Sequence, residues 1–252
     1  MRKSEPYPEE IARFYDVIYD HLRTIDRDYF MKEILATNGP VLEVGVGTGR
    51  FFIDALGQGA DIYGIDVSPT MLGQLKKKLD PSHHRRVLVR DVRMLNLNKT
   101  FDLVVAPFRV FSHLIDIDDQ LSALNSIYDQ LNPGGKLIFD LFVPDLGILQ
   151  HGIHEEVDFD GEYEPGKKLK RIASAEPDLI SQTTLVTMKL VWDEGNEEQR
   201  LTWQLPMRFF FRRELEHLVA RSKLELEHIY GDYEGNELTS DSKDFIVVCR
   251  RR

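Results

Sequence analysis

Cysteine is nearly absent: of 252 residues one is cysteine, Cys249. One thiol forms no disulfide within the chain and builds no cysteine zinc site, so a stapled secreted scaffold is excluded. Positive charge is also short, with 32 Lys+Arg against 42 Asp+Glu and a net charge of −10. That balance repels phosphate backbones and argues against bulk nucleic-acid binding. Long apolar runs are missing as well, and none approaches the ~20 residues a membrane-spanning helix needs. The stretch Met1-Arg2-Lys3-Ser4-Glu5-Pro6 leads into charge rather than an apolar leader core, so a cytoplasmic protein away from membranes is expected. Internal repeats and low-complexity tracts are absent. Hydrophobic residues at 42% and charged residues at 29% exclude a disordered or fibrous chain. The length allows one large domain or two small ones.

What is present is an alternation of short apolar runs and helical patterns. Val41–Val44, Ile62–Ile65, Arg86–Val89, Phe101–Val105 and Lys136–Phe139 are near-continuous in Val, Leu and Ile, as in parallel strands covered on both faces. Ser68-Pro69 opens a helix ahead of Met71, Leu72, Leu75 and Leu79. Another helix carries Leu121, Leu124, Tyr128 and Leu131 and stops at Asn132-Pro133-Gly134-Gly135. Two amphipathic segments, near Glu9–His21 and Ile25–Thr37, precede the first strand. Residues 143–165 are rich in Pro, Gly and acid; strand-like runs follow near 168–175, 180–192 and 199–210. A helix at about 212–222 and strands Leu224–Tyr230 and Phe245–Cys249 complete the pattern. The expected fold is α/β: a Rossmann-like, doubly wound, mostly parallel seven-stranded sheet with an antiparallel β insertion after the fifth strand. Residues 1–142 and 211–252 would form the sheet domain, and 143–210 the insertion.

The strongest local signal is Glu43-Val44-Gly45-Val46-Gly47-Thr48-Gly49-Arg50, in which a buried strand ends in three alternate glycines. Glycine lets a ligand lie against bare backbone, and the following helix start offers free N–H donors. Asp66 ends the second strand, where a carboxylate can accept from a ribose diol, and Asp91 ends the third, where one can accept from an adenine amine. A dinucleotide fingerprint is spaced G-x-G-x-x-G. Here the spacing is G-x-G-x-G, with Glu43 two residues before it. A carboxylate there repels a pyrophosphate and favours a cationic amino-acid moiety, which S-adenosyl-L-methionine presents and NAD does not.

With Gly64-Ile65-Asp66-Val67-Ser68-Pro69-Thr70-Met71-Leu72, Asp91-Val92-Arg93 and Leu131-Asn132-Pro133-Gly134-Gly135-Lys136, the glycine loop resembles the class I S-adenosylmethionine-dependent methyltransferases. Phe14-Tyr15-Asp16-Val17-Ile18-Tyr19-Asp20 and the strand insertion look like the small-molecule branch, which includes glycine and sugar-amine N-methyltransferases. The resemblance implies that Gly45, Gly47 and Gly49 wrap the methionine end and that Glu43 stabilises the loop or the ammonium. Asp66 would hold the ribose hydroxyls, Val67 and Met71 would pack on the adenine, and Asp91 and Val92 would read its edge. Ala106-Pro107-Phe108 would flank the transferred methyl. The Asn/Asp-Pro-Pro-Tyr/Phe motif of base-directed amino methyltransferases is absent at that point.

A sulfonium methyl is already electrophilic, so alignment of the acceptor carries the reaction and a general base is optional. The candidate catalytic residues are His113 as a proton acceptor, Arg109 as a clamp for a substrate carboxylate or phosphate, and Tyr15 against cofactor or acceptor. The bland alternatives are a loop histidine, a structural arginine and an aromatic packing stripe. No metal site is expected: the adjacent His83 and His84 point apart. The basic runs Lys76–Lys78 and Lys167–Arg171 read as a helix C-terminus and a solvated strand edge. Trp192 and Trp203 are assigned to core packing. The expected activity is methyl transfer to N or O of a small-molecule acceptor, with a homodimer allowed. An RNA or protein methyltransferase, an NAD-dependent oxidoreductase and a cofactor-binding protein without catalysis are the rivals.

Overall fold

The computed structural model describes residues 7–22, 25–195 and 197–252. Met1–Pro6, on which the expectation of no leader rests, lie outside the described residues. Two helices, α1 (Glu9–Leu22) and α2 (Arg27–Ala36), lead into β1 (Val41–Val44), α3 (Phe52–Gly57), β2 (Ile62–Asp66), α4 (Pro69–Lys78), β3 (Val87–Val89), β4 (Phe101–Ala106), α5 (Ile117–Gln130) and β5 (Leu131–Phe142). Then come α6 (Leu146–His151), β6 (Ile153–Glu164), β7 (Lys167–Asp178), β8 (Thr183–Glu194), β9 (Glu197–Arg208), α7 (Arg212–Arg221), β10 (Glu225–Tyr230) and β11 (Asp244–Arg250).

Seven strands form one sheet in the order β10-β11-β5-β4-β1-β2-β3. β1 pairs in parallel with both β2 and β4, placing Val41 beside Ile62 on one side and Leu103 on the other. β11 is antiparallel to β5 and β10. The chain moves outward through β2 and β3, then returns to the opposite side of β1 with β4. That reversal leaves a crevice at the carboxyl ends of β1 and β4, where ligands bind in open α/β sheets. Alternate residues feed two apolar layers: Leu42, Val104 and Phe139 face α5 and α7, while Val41, Leu103, Val105 and Ile138 pack with α2, α3 and α4 residues. The Ser68 hydroxyl caps α4 by accepting the Met71 N–H at 3.3 Å, and Pro69 occupies its first turn.

The second sheet is antiparallel, in the order β6-β7-β8-β9. Three of its strands lie where alternation predicts them. β6 is an addition: its sequence IHEEVDFDGEYE is acidic and mostly exposed. As an edge strand it pairs on one side only, so it needs no apolar face and charge is tolerated there. The inner face of β7–β9 buries Leu169, Leu190, Trp192, Trp203 and Leu205 against Ile11, Phe14 and Ile18 of α1. Both tryptophans are therefore core residues. Arg171, in the run read as a solvated edge, instead points into this face and is buried because β7 is an interior strand.

α1 thus lies between the two sheets and is pinned to both. Thr48 of the glycine loop donates to Asp16 at 2.5 Å and Lys78 of α4 donates to the same carboxylate at 2.7 Å. The Thr70 hydroxyl donates to the Tyr7 carbonyl at 2.9 Å, and Arg13 pairs with Glu194 at 2.8 Å.

Candidate functional site

The loop after β1 turns at the topological reversal. Gly45 N–H and Val46 N–H both donate to the Ile65 carbonyl, at 2.8 and 3.0 Å, which ties the loop to the end of β2. Gly45 and Gly49 hold φ of +71° and +93°, and a Cβ would strike Val110 at the first and Leu75 at the second. These two positions need glycine for both backbone and space.

Asp66 ends β2. One carboxylate oxygen accepts the Gly47 N–H at 2.9 Å and the other the Ser68 N–H at 2.8 Å. Burial raises its pKa, and the two N–H donors oppose that rise. Each oxygen keeps lone-pair capacity for further donors such as ribose hydroxyls. Glu43 sits in the middle of β1, 2% exposed. Its Oε2 is buried with no hydrogen-bond partner. Burial pushes this carboxyl well above the usual range; nearby Arg50 opposes the shift and Asp66 adds to it. A buried carboxyl with an open oxygen is costly unless a partner arrives. The ammonium of an amino-acid moiety is a partner of the right charge, so the residues present fit the cationic end of S-adenosylmethionine. Arg50 itself is held by buried Asp26 and stacks on Phe51 and Phe108, with its guanidinium carbon 4.7 and 5.3 Å from their ring centroids.

Val67, beyond β2, is exposed, whereas Met71 and Val92 are buried. Asp91 stands two residues past the end of β3, where it caps a 3₁₀ turn over Val92–Met94 and accepts the Arg93 N–H at 2.9 Å. The Arg93 guanidinium beside it holds its carboxyl below the ordinary value. Asp91 is thus a capping and ion-paired residue in this structure, at the strand end expected to face adenine.

Beyond the crevice lies an aromatic box. The Tyr15 and Tyr19 rings are 4.4 Å apart on one face of α1, and Phe108 packs edge-on against them at 6.4 and 5.1 Å. Tyr7, Tyr15, Tyr19, Arg171, Met188 and Trp203 enclose a cavity of about 20 Å³. That holds about one water, so α1 is closed over the box. Trp203 Nε1 is buried without a partner, while Arg171 donates to both oxygens of Asp158 at 2.9 and 2.8 Å. Burial keeps the Tyr7 and Tyr15 phenols protonated well beyond their usual range, so both can donate. Phe108 stands between the box tyrosines and Arg50 of the glycine loop, and Ala106 is buried at the end of β4. Of the three candidate catalytic residues, the structure brings Tyr15 to this box and His113 to its edge, 6.4 Å ring to ring from Tyr7. It does not bring the Arg109 guanidinium there, because that group pairs with Asp244 at 3.2 Å and stacks on Phe142. Tyr7, Arg171, Met188 and Trp203 carry no motif. The placement of the last three follows from cross-strand register, Arg171 beside Leu190 and Met188 beside Trp203, which only pairing reveals, and Tyr7 joins them by packing on Trp203. The larger groove of about 390 Å³ lies at the far edge, among Tyr128, Lys223, Leu226 and Arg252, and shares no residue with the glycine loop.

Burial lowers the His113 imidazole from its ordinary 6.5 to about 4. It is neutral at physiological pH and suits accepting a hydrogen bond better than retaining a proton. Because the folded value lies below the unfolded one, the unfolded chain takes up the proton first as pH falls. Stability from this group is therefore present above 6.5 and lost on descending toward 4. Wild type should lose its advantage over a His113→Gln variant by up to about 3 kcal/mol across that window, measured by urea unfolding at several pH values. A pH-independent difference would place His113 in a solvated setting.

The family described as a methyltransferase domain matches residues 41–135, the span from β1 to the turn entering the paired part of β5. The chain is 37% identical over 106 residues to malonyl-acyl-carrier protein O-methyltransferase 1 of Ilyobacter polytropus, covering 40% of this chain and 37% of that protein. It is 30% identical over 154 residues to glycine/sarcosine N-methyltransferase of Parasynechococcus marenigrum, covering 56% and 53%. The chain spans between about a third and about half the length of the curated relatives it matches. Among solved structures, the sugar N-methyltransferase KedS8 from a Streptoalloteichus species superposes with TM-score 0.75 at 17% identity, over 100% of this chain and 98% of that one. At that identity the likeness concerns the fold alone, and it extends over both the parallel and the antiparallel sheet. No helix among the described residues is long and apolar enough to cross a membrane.

Proposed function

We propose that this protein is an S-adenosylmethionine-dependent methyltransferase acting on an N or O atom of a small-molecule acceptor. The observation that carries the reading is the buried Glu43 carboxyl, whose Oε2 has no hydrogen-bond partner, at the base of the glycine loop that Asp66 pins. The bound cofactor supplies a methyl group already activated on a sulfonium. Glu43 would receive the ammonium, Gly45, Gly47 and Gly49 the methionine backbone, Asp66 the ribose, and Val67, Met71, Asp91 and Val92 the adenine. Ala106 and Phe108 would border the methyl. Tyr7 and Tyr15 would orient the acceptor by donating hydrogen bonds, and His113 would accept one. The electron-rich faces of Tyr15, Tyr19 and Trp203 suit a positively charged reacting centre while excluding water. Residues 1–142 and 211–252 act as the cofactor unit, and 143–210 as a cap whose inner face closes the acceptor site. The box under α1 must widen to admit an acceptor, and its confinement favours a small one over RNA or a folded protein.

Isothermal titration should give micromolar binding of S-adenosylmethionine, with no competition from NADH. Incubation with amino sugars and amino acids should release S-adenosylhomocysteine with some members of the panel. Absence of binding at millimolar cofactor would sink the reading, and displacement by NADH would revive an oxidoreductase.

A further inference from the structure

Phe108 and Arg109 are consecutive non-glycine residues with φ of +62°. Side chains rarely adopt this left-handed conformation, and a pair of them persists only when the surroundings enforce it. The turn they form has neighbours on both flanks: Phe108 packs on Tyr15, Tyr19 and Arg50, and Val110 sits where a Cβ on Gly45 would be. Its conformation therefore sets the wall shared by glycine loop and aromatic box.

The enforcing contacts come from the neighbouring strands β5 and β11 and from Tyr233. Asp140 of β5 is fully buried; one oxygen accepts the Arg109 N–H at 3.0 Å and the other the Tyr233 hydroxyl at 2.6 Å. The Arg109 guanidinium donates to Asp244 at the start of β11, and Tyr233 reaches the same carboxylate at 3.5 Å. Two carboxylates buried at the edge of the crevice cost stability unless fully hydrogen-bonded, and their bonds converge on this turn. We infer that Asp140, Tyr233 and Asp244 are positioning residues that hold the Phe108–Arg109 turn in its left-handed form and so fix the pocket wall. That this wall faces an acceptor rests on the methyltransferase reading; that the network holds the turn does not.

Hydrogen–deuterium exchange on the unliganded protein, read on the peptide covering 106–113, tests the inference without any acceptor. Asp140→Ala should speed exchange of this peptide at least about 10-fold while β1, β4 and β5 keep wild-type protection. Asp140→Asn retains an acceptor oxygen for the Arg109 N–H and should stay within about 3-fold of wild type. Titration with S-adenosylhomocysteine should show about a 5-fold loss of affinity for Asp140→Ala and little for Asp140→Asn. Should Asp140→Ala fail to fold, Tyr233→Phe removes one bond to Asp140 and should speed exchange of the turn about 3-fold. Equal exchange in the Ala and Asn variants, loosening spread evenly over the sheet, or an unchanged turn in Tyr233→Phe would each overturn the proposal. A protein that bound no S-adenosylhomocysteine would overturn the functional reading and leave the exchange result standing.

Discussion

Replacing Asp66 by alanine is expected to weaken S-adenosylmethionine binding about 100-fold, roughly 3 kcal/mol, with the fold intact. The carboxylate acts twice. It accepts the Gly47 and Ser68 N–H groups, which fixes the middle of the glycine loop against the end of β2. Its remaining lone pairs are the proposed seat of the ribose hydroxyls. Each hydrogen bond to a charged group contributes about 1.5–3 kcal/mol, and the variant loses both ribose bonds and loop order. Asp66→Asn should fall between, since one amide edge would face an N–H that now has no acceptor. The group lies in a crevice rather than the core, so Tm should change little. Isothermal titration measures the affinity; a loss below about threefold would remove Asp66 from the ribose.

Gly49→Ala is expected to cost about 3–5 kcal/mol of stability, because two penalties add. A Cβ there meets Leu75, and Ile53 side-chain atoms lie at 3.1 and 3.2 Å, in a cluster where Leu75 is fully buried. The φ of +93° is unfavourable for alanine whatever the space. For a chain of this size that corresponds to a fall in Tm of about 8–15 °C by thermal unfolding. Gly59→Ala is the control: its φ is +91°, yet nothing lies within 4 Å of its added Cβ. It should pay for the backbone alone, about 1–2 kcal/mol. Equal effects at the two sites would mean that the loop yields around Leu75.

The parts legible in the chain are those governed by local chemistry. Five Val/Leu/Ile runs became β1–β5, since a strand covered on both faces must be apolar throughout. Ser68-Pro69 capped α4 where capping chemistry requires it. β6 is not legible in the sequence because this edge strand is mostly exposed and leaves no apolar alternation. Arg109 was a fair candidate for an anion clamp by position, directly after β4. Its guanidinium turned to Asp244, 135 residues away, a choice that depends on β11 returning beside β5. Arg171 took the opposite course, from a basic run that suggested solvent to a seat beside Tyr19, with its guanidinium carbon 4.7 Å from the ring centroid.

The sequence by itself determined the parallel sheet, the glycine loop with its two acids, and the exclusion of disulfide scaffolds and spanning helices. Each follows from residues near one another in the chain, where periodicity, glycine content and charge act locally. Tertiary structure alone decided which side chains line the aromatic box and which contact the Phe108–Arg109 turn. Those assemblies draw on α1, β5, β7, β8, β9 and β11 together. Their geometry is set by strand register and helix docking, and neither is encoded within any one segment.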